Sequence, residues 1–133
     1  MPGGRSPAAE ARFVRPPTRC ATSNRIDADK LREQIIADGH SDLFGLYEIV
    51  GSLNVLYPGV PYQEKLACAT RVVTQLLREQ FITIHKVTWE PRLDVELPAA
   101  LAARVLTDPA SWTAPGADGL FYGYLSTPAS RRT

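Results

Sequence analysis

The order of periodicities between residues 43 and 89 constrains this chain more than any other feature. Leu43, Leu46, Tyr47, Val50, Leu53 and Tyr57 recur at intervals of three or four, the spacing of one apolar helix face, and predict a helix over 42–57. Ser41 stands where a cap for that helix is expected. Gly45 and Gly51 each weaken the helix by about 1 kcal/mol relative to Ala, and either could permit close helix contact. Pro58-Gly59-Val60-Pro61 then breaks the chain. Beyond it, a turn of about 100° per residue gathers Tyr62, Leu66, Ala69, Val73, Leu76 and Leu77 on one arc, which predicts a second helix over 62–80 with that arc inward. At Phe81 the period changes to two: Ile82 and Ile84 alternate with Thr83 and His85, and the run to Trp89 is rich in β-branched and aromatic residues, as a strand requires.

The flanking segments complete an α+β pattern. Asp27 or Asp29 can start a first helix with Leu31, Ile35 and Ile36 inside, and Asp38-Gly39-His40 is its expected stop. Pro91 ends the strand. A short helix is predicted over 97–106, with Pro98 in its first turn and Leu101, Val105 and Leu106 inside. Asp108-Pro109 stops it, and Trp112 is expected to fold back as an apolar anchor. Turns at Pro115-Gly116 and Asp118-Gly119 lead into a strand over 120–126, expected to pair antiparallel with 81–89. The similarity of Leu31-Arg32-Glu33-Gln34-Ile35-Ile36 to Leu77-Arg78-Glu79-Gln80-Phe81-Ile82 covers too few positions to define a repeat.

A length of 133 residues suits one domain, and 44% hydrophobic with 22% charged residues is ordinary globular usage. No apolar run approaches the roughly 18 residues that cross a bilayer, and the first 25 residues lack the apolar centre of a secretory signal, so a soluble cytoplasmic protein is expected. Residues 1–25, with Pro2, Pro7 and Pro16-Pro17, read as a disordered basic arm, 26–127 as the folded domain and 128–133 as a flexible tail. Cys20 and Cys68 lack a CxxC or a nearby His, and free thiols are expected rather than a disulfide between them. Charge is uneven. The arm carries five arginines against Glu10, net +4, whereas residues 26–130 hold eight basic and thirteen acidic residues, net −5.

The chemistry of an enzyme is not visible. His40 and His85 stand far apart, with no nucleophile elbow, phosphate loop or metal-spaced cluster beside either, so no catalysis, cofactor or metal is expected. Asp38, His40 and Asp42 read as capping and solvated groups. The outer arc of the second helix is the candidate surface: Gln63, Glu64, Ala67, Cys68, Arg71, Thr74, Gln75 and Arg78. Gln, Thr and Arg can read base edges, and a small Ala lets a helix approach a groove. Glu64, Glu79 and the acidic body oppose phosphates, as do Glu90, Asp94, Glu96, Asp108 and Asp118 after the first strand.

Three stretches, Gly45-Leu46-Tyr47-Glu48-Ile49-Val50, Tyr57-Pro58-Gly59-Val60-Pro61 and Leu76-Leu77-Arg78-Glu79-Gln80-Phe81-Ile82, carry a resemblance to the winged helix-turn-helix superfamily. The chain is similar to small bacterial winged-helix proteins. The resemblance implies a mainly helical α+β fold with a small antiparallel β-hairpin wing, here with an extra helix in the wing connection. It also implies that the second helix of the motif reads the major groove through Gln63, Ala67, Arg71 and Thr74, and a regulator would place Arg78 on the same groove-facing helix. The expected function is a DNA-binding transcriptional regulator; the alternative is an acidic winged-helix module that binds a protein without binding DNA, such as a regulatory or toxin-neutralising partner. DNA or a protein is the expected partner, a homodimer fits the regulator, and no membrane is involved.

Overall fold

The computed structural model describes residues 19–20, 23–89 and 91–128. The first helix, α1, spans Ala28–Ser41 and begins at Asp27, whose side chain accepts from the Lys30 N–H at 3.2 Å. Leu31 and Ile35 are buried. Gly39 lies inside the helix rather than ending it. It sits where α1 crosses the last strand, β6 (Phe121–Ser126), so closely that a Cβ there would lie 2.8 Å from the Ser126 backbone nitrogen. The Ser126 hydroxyl donates to the Ile36 carbonyl at 2.6 Å in the same contact.

The helix expected over 42–57 is shorter. Phe44–Gly45 form a short strand, β3, and α2 spans Leu46–Leu56. Ser41 ends α1 instead of capping α2; the capping contact runs from the Gly45 N–H to the Glu48 carboxylate at 2.8 Å. The cause is tertiary. Phe44 and Gly45 pair with Tyr124 and Gly123 of β6, and a Cβ on Gly123 would come within 2.7 Å of the Phe44 carbonyl oxygen. Gly51 is exposed with open space above it and mediates no helix contact.

The turn at 58–61 forms as expected, with Val60 buried, and α3 follows at Tyr62–Arg78. Its last turn closes by Gln80 N–H to Leu77 O at 3.1 Å and Phe81 N–H to Leu76 O at 2.9 Å, with Gln80 at φ 64°. That bonding pattern is a Schellman cap, which shortens the helix expected to reach residue 80. The buried arc is Lys65, Cys68, Ala69, Val72, Val73 and Leu76. Tyr62 is half exposed and Cys68 fully buried, the reverse of their expected placement, because the N-terminal strands pack on this helix in addition to α1, α2 and α4 (Ala99–Leu106).

Those strands are β1 (Arg19–Cys20) and β2 (Ser23–Asp27), an antiparallel pair in the segment expected to be disordered. Order therefore starts before residue 26; residues 1–18 of the expected arm and 129–133 of the expected tail lie outside the described residues. Cys68 is disulfide-bonded, and the chain's one other cysteine is Cys20, so the free-thiol expectation is overturned. The spacing of two cysteines says nothing of a contact made by folding the N-terminal strands back onto α3.

The main sheet is antiparallel in the order β3-β6-β4-β5. β4 spans Ile82–Trp89 and pairs with β6 from Ile82↔Ser126 to Val87↔Phe121, as expected from the sequence. β5 (Arg92–Glu96) turns back along the other edge of β4, in a stretch expected to be connection only. In α4, Ala102 and Leu106 face inward while Leu101, expected inside, is 42% exposed. Trp112 closes a short 3-10 turn and is the anchor foreseen: it is 2% exposed, and its indole N–H donates to the Leu106 carbonyl at 3.1 Å. Tyr124 and Ile84 on one sheet face meet Leu31, Leu46, Leu53, Val73 and Leu76 in the core, each large side chain contributing about 1.5–3 kcal/mol by burial. Burial pushes the Tyr124 hydroxyl well above the ordinary phenol range, assisted by the nearby Asp38 and Glu48 charges.

The architecture is α+β, with helices packed on a four-stranded antiparallel sheet. Among the described residues no helix is long and apolar enough to cross a membrane.

Candidate nucleic-acid interface

Packing decides which part of α3 can meet a partner. With α1, α2, α4 and the β1–β2 pair around it, the accessible stripe runs through Gln63, Arg71 and Arg78, which are exposed, and Ala67 and Thr74, which are half-buried between them. At about 100° per residue these five candidates share about 80° of the helix circumference. The structure thus keeps the candidate residues together on one stripe. Cys68 leaves it, turned beneath the hairpin.

The stripe's flanks are set by two arginines from outside α3. Near its start, Arg25 of β2 reaches both carboxylate oxygens of Glu64, at 3.0 and 3.1 Å. Near its end, Arg32 of α1 lies 2.6 Å from Glu79 and 5.0 Å above the Phe81 ring, while the Gln75 amide donates to the other Glu79 oxygen at 2.7 Å. The hydrogen bonds from Gln75 and Arg32, with the guanidinium charge, hold the Glu79 carboxyl below its usual range. Both acids that would repel phosphates along α3 are therefore paired. Arg71 and Arg78 make no ion pair with a described residue. The contacts join positions 39 and 47 apart in sequence, which is why no local pattern announces them.

Other charges are engaged elsewhere. Lys65 is 5% exposed and donates to the Asn54 side chain at 3.0 Å, tying α3 to α2 rather than facing solvent. His85, expected on a strand with no associated chemistry, sits in a chain of groups: Thr83 Oγ1 lies 2.7 Å from its Nε2, and Asp94 Oδ1 lies 2.7 Å from its Nδ1. That chain fastens β5 to β4. Asp108 and Asp118 accept from the backbone of Ala110 and Leu120, so they serve the turns they begin. At the hairpin, Arg92 stacks on Trp89 with its guanidinium 4.6 Å from the ring centre. An open cleft of about 450 Å³, absent from any sequence expectation, runs between α4, the 3-10 turn and the start of β6 and is bordered by Leu101, Arg104, Asp108 and Tyr122.

No protein-family model, characterised protein or solved structure matches the chain.

Proposed function

We propose that this is a winged-helix protein that binds duplex DNA through α3. The element order α1-β3-α2-α3-β4-β6, with β6 between β3 and β4 in the sheet, supports the winged-helix reading; β5 and α4 are then elaborations of the wing. The observation that carries DNA binding is the pairing of Glu64 and Glu79 with Arg25 and Arg32, beside a stripe on which Arg71 and Arg78 face solvent. Gln63 and Thr74 supply amide and hydroxyl groups for base edges, Ala67 allows close approach, and the arginines meet phosphate or guanine. In a reducing cytoplasm the Cys68 disulfide opens, whereas the Arg25–Glu64 pair still clasps β2 to α3.

Binding of genomic and random duplexes at two salt concentrations tests this reading. Salt-sensitive binding is expected, and an Arg71→Ala plus Arg78→Ala variant should reduce the log–log salt slope by about 2. No salt-sensitive binding overturns it.

A second reading, a module that binds a basic protein partner, is supported by different observations: the net −5 body, the disulfide, which belongs to oxidising compartments, and the half-exposed Trp89, Leu93 and Val95. Its test is recovery of a partner from the native host, identified by mass spectrometry, that a Leu93→Lys plus Val95→Lys variant fails to hold. No such partner removes this reading.

A further inference from the structure

Among the described residues β5 is the last strand on its side of the sheet, and all five of its residues are exposed. Leu93 and Val95, each 54% exposed, stand opposite Thr88 and Lys86, on the face that further along β4 carries the core residues Ile82 and Ile84. Arg92, Asp94 and Glu96 occupy the other face. The ladder fixes where the backbone points. Leu97 N–H donates to the Ile84 carbonyl at 2.8 Å, so alternation makes Val95↔Lys86 and Thr88↔Leu93 the hydrogen-bonded pairs with β4. The amides and carbonyls of Arg92, Asp94 and Glu96 are then directed away from β4, along the sheet's outer edge.

We propose that this edge pairs with the β5 of a second copy of the chain, antiparallel and centred on Asp94, to form a two-fold dimer with one continuous sheet. The sequence Arg92-Leu93-Asp94-Val95-Glu96 is self-complementary in that register. Arg92 faces the second copy's Glu96, Leu93 faces its Val95, and each pairing occurs twice. The same register joins the outward-directed backbone groups in about six hydrogen bonds. A shift by one residue sets Leu93 against a charged side chain. A shift by two toward the C-terminus sets Asp94 against Glu96, and a shift by two toward the N-terminus leaves Val95 and Glu96 with no facing strand residue and joins fewer backbone groups. The one like-charge meeting in the favoured register is Asp94 with its counterpart, and each carboxylate is held by its own His85 at 2.7 Å. The charge pattern selects another copy of this chain over a basic peptide, for which Arg92 would be repulsive.

The test is the mass of the full chain by light scattering across a range of concentration, with helical and sheet content checked by circular dichroism. The parent should approach twice the monomer mass. Arg92→Glu alone sets two carboxylates against two carboxylates, and Glu96→Arg alone sets arginine against arginine, so each variant should weaken association at least tenfold. Mixing the two variants should restore a dimer containing one of each, because both pairings of position 92 with position 96 are then opposite in charge. Three results overturn the proposal: a monomeric parent, single variants that dimerise as well as the parent, or a mixture that stays monomeric. A monomeric parent that dimerises once residues 1–18 are removed would identify the chain's own N-terminal segment as the occupant and would equally overturn it.

Discussion

α3 and β5 stand at two extremes of how this chain treats a polar segment. α3 is packed by helices and strands on several sides, and its acids are clasped by Arg25 and Arg32. Among the described residues β5 pairs with one strand, β4, and it leaves two apolar side chains half exposed. The difference teaches where stability and recognition separate. Substitutions on the inward arc of α3 act on folding, whereas substitutions on β5 act on association.

The largest expected effect breaks the comparison at its stable end. Leu76→Ala opens a cavity where exposure is 0%, and should lower unfolding free energy by about 2–5 kcal/mol in chemical denaturation. Leu93→Lys, at a half-exposed site, should shift monomer stability by no more than about 0.5 kcal/mol. Equal losses at the two sites would show that β5 is part of the folding core. Next in size is the disulfide. Cys68→Ala should lower stability by about 2–4 kcal/mol under oxidising conditions and change little when the parent is already reduced. An unchanged midpoint would mean that the fastening of the N-terminal strands contributes nothing to α3.

How legible these two regions were differs for a physical reason. The α2-turn-α3-β4 series is written in local periodicity, and the Asp27 cap, the Trp112 anchor and the β4–β6 pairing follow from signals within a few residues of each. β3 exists because β6 arrives beside Phe44 and Gly45, and a two-residue strand has no periodicity of its own. β5 does alternate, through Leu93, Val95 and Leu97, but its apolar positions are few and charges separate them, so it resembles a connection. On α3 the stripe from Gln63 to Arg78 could be drawn from a helical wheel. Its electrostatics could not, since Arg25 and Arg32 come from other elements.

A smaller effect sharpens the comparison at the end of α3. Gln80 adopts φ 64°, a left-handed conformation that costs a side-chain-bearing residue about 1–2 kcal/mol. Glycine there removes the steric cost but gives the unfolded chain more freedom, so Gln80→Gly should raise stability by about 0.5–1 kcal/mol in thermal or chemical unfolding. A loss instead would show that the glutamine side chain contributes more than its backbone costs.

The smallest expected effect concerns Glu79. Hydrogen bonds from Gln75 and Arg32 lower its pKa in the folded chain below the ordinary 4.5, so the folded state holds this proton less tightly than the unfolded one. The contribution is therefore fully present above pH 4.5 and is lost as pH falls through the depressed folded value. Because the pair is partly exposed, its worth is under about 1 kcal/mol and shrinks in high salt. Unfolding midpoints of the parent and Glu79→Gln should differ at pH 7 and converge in acid. If they keep a constant gap across the titration, Glu79 acts by shape and hydrogen bonding, and α3 gains no charge-dependent fastening at this end.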